Sequence, residues 1–369
     1  MGVVEETMNN ITSIIDKYEM VKDKRISRLV DFEKGRRPFL VCTDFPNSFV
    51  SNCNSIEQSF NANLADFAVA LDIPSDTLPY LEPWFGTGVY ANAFGCKYFW
   101  REGESPACHY AYRSIEQIRG IQKPDISQSR MFTMVMDAIN YFKEETAGQL
   151  PICVTDTQSA SDTATLVLDA SEFFTCCYAE PETVHHFLKI INEMIIYFTK
   201  MQADAIGDCL ALPGHNQRFS YSLGRGVSLS DDNLAVSSPK INSEFFLPLD
   251  DQIGAAFGGV AIHSCGNWGH TMPLVAKMEN LYMIDCTISY QCDPNPCMPE
   301  QVRDAFKDTD IIVQVRIGKD LDVDMPLLKR LLSPDLRLVI SIAYEPDKIQ
   351  DRYDQVIHFL GDKLCCVDN

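Results

Sequence analysis

Short apolar runs alternate with longer stretches of helical period along most of the chain. Pro38-Phe-Leu-Val-Cys-Thr-Asp44 is the first such run, and it closes on polar residues. Similar runs recur at Thr77–Phe85, Pro151–Asp156, Gly226–Asp232, Gly259–Cys265, Leu281–Cys286, Ile311–Val315 and Leu338–Ala343. Near-continuous hydrophobicity over so few residues is the signature of parallel strands covered on both faces. Helical periodicity fills the intervals, notably 55–72, 131–145, 160–205, 242–257, 270–279, 300–308 and 348–360. Eight strands alternating with helices predict an α/β protein, a closed (β/α)8 TIM barrel. Ahead of the first strand, Met8, Ile11, Ile15 and Tyr18 recur at helical spacing. Residues 1–36 therefore read as an N-terminal helical extension, and 37–369 as one barrel. Cys96–Trp100 and His109–Tyr112 read as a small added hairpin.

Composition narrows the function classes. The chain has 369 residues, against about 250 for a typical barrel, which leaves room for insertions but not for a second barrel. A formal net charge of −20 with no basic stripe speaks against nucleic acid and against anionic membrane surfaces. No apolar run is long enough to span a bilayer, and the first residues lack the basic-then-apolar order of a signal peptide. Fourteen cysteines in a chain of this size do not read as a secreted disulfide framework. A reducing cytosol is the simplest setting, and so many free thiols suit an anaerobe.

Barrel enzymes place their chemistry at the C-terminal ends of the strands. The residues closing each strand are therefore the candidates: Asp44, Asp156, Asp231 and Asp232, His263 and Cys265, Asp285 and Cys286, Arg316, and Tyr344 with Glu345. His263 and Cys265 are two apart on a strand and so share a face. An imidazole and a thiolate side by side can grip Zn2+; the same pair also reads as a packed histidine beside a small buried cysteine. Asp231 and Asp232 could act in proton transfer or orient a substrate, or could cap the next helix. Tyr344 could donate a hydrogen bond to a substrate oxygen. Asp156, Trp84 and Tyr80 are candidates to line a substrate pocket. Gly224-Arg-Gly226 is too short for a phosphate loop, and Cys176-Cys177 and Cys365-Cys366 read as packing or surface residues.

Ser228-Leu-Ser-Asp-Asp-Asn233, Ser238-Pro-Lys240, Phe245-Phe-Leu-Pro248 and Ile262-His-Ser-Cys-Gly-Asn267 resemble the second half of the uroporphyrinogen decarboxylase superfamily. Asp162-Thr-Ala164 and Phe173–His185 extend the likeness into the first half. The arginine-rich segment by which true uroporphyrinogen decarboxylases bind porphyrinogen is replaced here by Thr43-Asp-Phe-Pro46, and the histidine expected after strand eight by Tyr344. The likeness therefore points to the other branch, the zinc-dependent methyltransferases that work with a corrinoid protein. That resemblance implies Zn2+ at His263 and Cys265, a partner protein presenting the corrinoid, and a small-molecule methyl ether or thiol as the other substrate. The branch takes its third ligand as a Cys near the end of strand eight. Here that stretch is Ile342-Ala-Tyr-Glu-Pro346, so Glu345, or else Cys286 from strand six, would complete the set. Metal-free decarboxylation of another substrate and a non-catalytic barrel that binds a corrinoid protein are the alternatives. A homodimer is compatible with the sequence.

Overall fold

The computed structural model describes residues 2–211 and 226–364. Gly224, Arg225 and the Cys365-Cys366 pair lie outside the described residues, as does the side chain of Met8.

Among the described residues six parallel strands form one sheet, and a two-stranded antiparallel hairpin lies apart from it. The strands are β1 (Phe39–Asp44), the hairpin β2 (Tyr98–Phe99) and β3 (Ala107–Cys108), then β4 (Val227–Ser230), β5 (Val260–His263), β6 (Leu281–Thr287), β7 (Ile312–Ile317) and β8 (Arg337–Ala343). In the sheet they run β1-β8-β7-β6-β5-β4. The remaining two barrel positions are taken by extended segments that make single bridges, Leu81 with Ile152 and Gln158 with Ser230. Asp76 closes the ring, its N–H donating to Val41 O at 2.8 Å. The predicted second strand does not form a ladder because Pro79 and Pro83 each remove an N–H and leave Leu81 as the bridging residue. Leu210 also bridges Ile152, so the third segment is paired at its lower end as well as at Gln158.

The predicted helical block 160–205 is three helices, Ala160–Val167, Ala170–Ala179 and Pro181–Ile206. Asp169 N-caps the second, accepting from Ser171 N–H and Glu172 N–H. Pro181 opens the third, where its missing N–H costs nothing. The hairpin forms with its second strand two residues earlier than expected.

Strand alternation divides the core into two packed groups. Leu40 and Cys42 of β1, Ala261, Met283, Ile312 and Val339 fill the barrel axis. Leu29 and Phe32 from α1 (Gly2–Glu33) and Tyr282 join this same group and plug the lower end. Val41, Ile262, Ile284, Cys286, Val313, Val315 and Ile340 belong to the larger group that includes the surrounding helices. The helical extension is tied in by charge too. Buried Asp76 pairs with Arg28 at 2.6 Å and Arg37 at 3.0 Å, and accepts from Val41 N–H and Tyr353 O–H. Arg25 donates to Ile73 O and Thr77 O, satisfying carbonyls past the end of α2 (Ile56–Asp72).

Candidate metal centre at the barrel mouth

Inward-facing positions are in register across the upper barrel. Ser230 pairs with His263, His263 with Asp285, and Asp285 with Gln314. This rung is polar where the rung beneath it, with Ala261, Met283 and Ile312, is apolar. His263 Nδ1 lies 2.5 Å from Asp285 Oδ2, and Gln314 Nε2 donates to Asp285 Oδ1 at 2.9 Å. Both Asp285 and His263 are almost fully buried. Burial works against ionising Asp285. Arg316, His263 and Gln314 outweigh it and hold the carboxyl below its usual range. The ionised acid thereby fixes the proton on Nδ1 and turns the Nε2 lone pair toward the mouth.

Nε2 faces Cys265 Sγ at 3.3 Å and Asp232 Oδ1 at 3.9 Å. Asp232 Oδ1 also accepts the Cys265 N–H at 2.6 Å. Ligand atoms of Asp232, His263 and Cys265 all lie within 4.8 Å of one another, and this is the one such group of three or more among the described residues. Zinc–ligand bonds of about 2.0–2.3 Å place tetrahedral ligands about 3.5 Å apart. The two distances at Nε2 bracket that value, so the three side chains fit one zinc ion. With one O, one N and one S donor, a bound zinc would keep a fourth position open, as catalytic zinc sites do.

The backbone holds these three side chains firmly. Asp162, at the start of the helix Ala160–Val167, accepts from Asp232 N–H at 2.9 Å and Asn233 N–H at 3.1 Å. Gly266 closes the turn after Cys265 at φ +70°, a left-handed conformation natural to glycine, and its N–H donates to Asp293. Burial, then the Asp232 charge, push the Cys265 thiol up to about 12, so without a metal it stays protonated at neutral pH.

Residues 84–293, more than half of the chain, match the family model described as Uroporphyrinogen decarboxylase (URO-D). The chain belongs to the uroporphyrinogen decarboxylase family. Asp162, Asp232, His263, Cys265 and Asp285 all fall within the matched stretch. A solved methyltransferase from Methanosarcina mazei has a similar fold, with a TM-score of 0.62 at 14% sequence identity. The likeness covers 89% of this chain and 98% of that one. No curated protein matches the sequence.

Within this family barrel, the other expected site residues are scattered. Glu345 is not in the ligand group: it is ion-paired to Lys348 at 3.1 Å and to Arg352. Those cations depress its pKa, the Lys348 hydrogen bond first. Cys286 is not there either, because it follows inward-facing Asp285 on the strand and so points outward. It is hydrogen-bonded to Cys297 instead. Asp231 also turns away from the axis. It accepts from Ser161 O–H at 2.5 Å and lies against Asp250 of the helix Leu247–Phe257. Burial and Asp250 push its pKa well up, and burial raises Asp250 to about 7. Asp156 and Trp84 do meet, Trp84 Nε1–H donating to Asp156 Oδ2 at 3.0 Å, with Gln158 on the other oxygen. Tyr80 lines a separate cleft with Phe45 and Phe67. Tyr344 sits at the β8 end, edge-on to Phe45 at 4.7 Å. The sequence placed Asp285 among the strand-end candidates without a specific role, and singled out neither Gln314 nor Asp162 for the site. A polar residue inside an otherwise apolar run was the available signal for the first two.

Proposed function

We propose that this chain is a methyltransferase moving a methyl group between a small molecule, a methyl ether or a thiol, and the cobalt of a corrinoid carried by a partner protein. The observation that carries this reading is the Asp232–His263–Cys265 group, with its histidine anchored by Asp285, at the mouth of a uroporphyrinogen decarboxylase-family barrel. The name of the Methanosarcina mazei neighbour supports it. Asp232 takes the ligand place for which Glu345 or Cys286 was considered. Zinc bound there supplies Lewis acidity, which keeps a substrate thiol deprotonated or draws charge from an ether oxygen. Asp285 holds the imidazole in the ligating tautomer, and Asp162 holds the backbone of Asp232. Residues 37–369 act as the catalytic barrel in this reading, with 1–36 as its extension.

A partner must approach the open end. Val236, ending the short helix Asn233–Val236 after β4, and Tyr290 and Met298, between β6 and the helix Pro299–Phe306, are large apolar side chains that stand exposed. They suit protein contact better than solvent. Among the described residues no helix is long and apolar enough to cross a membrane.

Metal analysis of anaerobically purified protein tests the reading. About one zinc per chain is expected in the wild type, and loss of it in Cys265→Ala. A metal-free wild type, or activity that survives complete chelation, refutes it and favours decarboxylation without metal.

A further inference from the structure

Two thiols outside the metal centre meet across the β2–β3 hairpin. Tyr98 pairs with Cys108, and the ladder runs one bond further, His109 N–H donating to Lys97 O at 3.0 Å. Cys96, two residues before Tyr98, therefore shares a face with both Tyr98 and Cys108. On that face the Cys96 and Cys108 thiols are hydrogen-bonded to each other. Their surroundings differ: Cys96 is buried, whereas Cys108 is half-exposed. The Cys96 S–H, donating to Cys108, lowers the Cys108 pKa against the effect of burial. That bond, then burial, raises Cys96. The hairpin packs directly on a glycine loop. A Cβ on Gly88 would lie 2.9 Å from Cys108 Sγ and 3.1 Å from Tyr98 Oη, so thiol and phenol flank one point. Tyr98 Oη is buried and has no hydrogen-bond partner among the described residues, which calls for an explanation. Cys286 and Cys297 are hydrogen-bonded in the same way, but both of them are buried.

We propose that Cys96 and Cys108 are a dithiol modification site, at which a hydroperoxide forms a reversible disulfide. Cys108, within reach of solvent and favoured as the thiolate, is the attacking sulfur. It bonds to one peroxide oxygen, the O–O bond breaks, and the thiol proton goes to the departing oxygen, which leaves as water or an alcohol. Cys108 is then a sulfenic acid. The Cys96 thiol attacks that sulfur, the S–O bond breaks, and the Cys96 proton leaves with the oxygen as water. Two thiols thus pass two electrons to one hydroperoxide. The Tyr98 hydroxyl, unsatisfied in the reduced protein, is the donor at hand for the sulfenic oxygen. A small dithiol restores both cysteines by exchange. The disulfide staples a hairpin that touches Gly86 and Gly88, on the loop that follows Trp84, whose indole holds Asp156. None of these steps needs the metal centre.

Peptide mapping tests it. The full chain, reduced without oxygen and freed of reductant, is treated with one equivalent of hydrogen peroxide, alkylated with N-ethylmaleimide and cut with trypsin. Lys97 and Arg101 lie between the two cysteines, so a Cys96–Cys108 bond joins otherwise separate peptides. That linked pair should be the main oxidation product and should disappear on treatment with dithiothreitol. It should form at least about tenfold faster than a Cys286–Cys297 link, which has the same thiol contact without the exposure. In Cys96→Ser, dimedone should label Cys108 as the trapped sulfenic acid, whereas Cys108→Ser should leave Cys96 unlabelled. A wild type whose main product lies at Cys265 or Cys292, or whose Cys286–Cys297 link forms as fast, overturns the site. So does dimedone on Cys96 in place of Cys108. The wild-type map carries the test if a serine variant fails to fold.

Discussion

Replacing Asp285 removes the group that orients the imidazole of the proposed metal site without touching a proposed ligand atom. In the wild type the Asp285 carboxylate meets His263 Nδ1 at 2.5 Å inside a fully buried site. A hydrogen bond to a charged partner contributes about 1.5–3 kcal/mol. At about 1.4 kcal/mol per decade, that is roughly 10- to 150-fold in the population of the ligating geometry. Asp285→Asn keeps an oxygen acceptor and should weaken zinc binding by about tenfold, and Asp285→Ala by about a hundredfold. Either change also strips Arg316 of its nearest counter-charge, so stability must be read separately. Competition against a chromophoric chelator at pH 7.5, without oxygen, measures the affinity. Thermal melts of the chelated proteins report the fold. If folded Asp285→Ala binds zinc within threefold of wild type, the orienting role assigned to Asp285 is wrong.

Zinc affinity should climb with pH. The Cys265 thiol, raised to about 12, is protonated in the metal-free protein and must lose that proton to ligate. About a tenfold gain per pH unit is expected between pH 7 and 8.5, and a titration flat over that range would contradict it. Asp250 gives stability the opposite slope. Its folded pKa of about 7 exceeds that of an unfolded aspartate, so its contribution is full below about pH 4 and is lost as pH rises through 7. Wild-type melting temperature should fall between about pH 5 and 7.5 and level off above that, and Asp250→Asn should flatten that fall; parallel curves would refute the assignment. Asp76→Asn should lower unfolding free energy by about 2 kcal/mol or more, since Arg28 and Arg37 lose their shared acid. Urea titrations of the two proteins supply the comparison.

The alternation of apolar runs with helical stretches determined the barrel, because a strand buried on both faces and an amphipathic helix leave different periods in the chain. Those periods also put His263 and Cys265 on one face at a strand's catalytic end. Local steric chemistry decided more than periodicity could show: Pro79 and Pro83 kept the second segment out of the ladder, and Asp169 and Pro181 cut one helical block into three. The completion of the ligand group was a matter of register between strands, which has no trace along a single strand. Strand pairing set Asp285 beside His263 and turned Cys286 to the outer wall, one residue reversing the direction of the side chain. Glu345 lay at the right strand end but was taken by Lys348 and Arg352 from the turn and helix that follow it. Asp232 joins His263 and Cys265 in the proposed site because the backbone after β4, pinned by Asp162 some 70 residues earlier, brings its carboxylate to Cys265. Which residue types are present can be read from sequence, but which oxygen meets which nitrogen depends on how strands far apart in the chain are packed side by side.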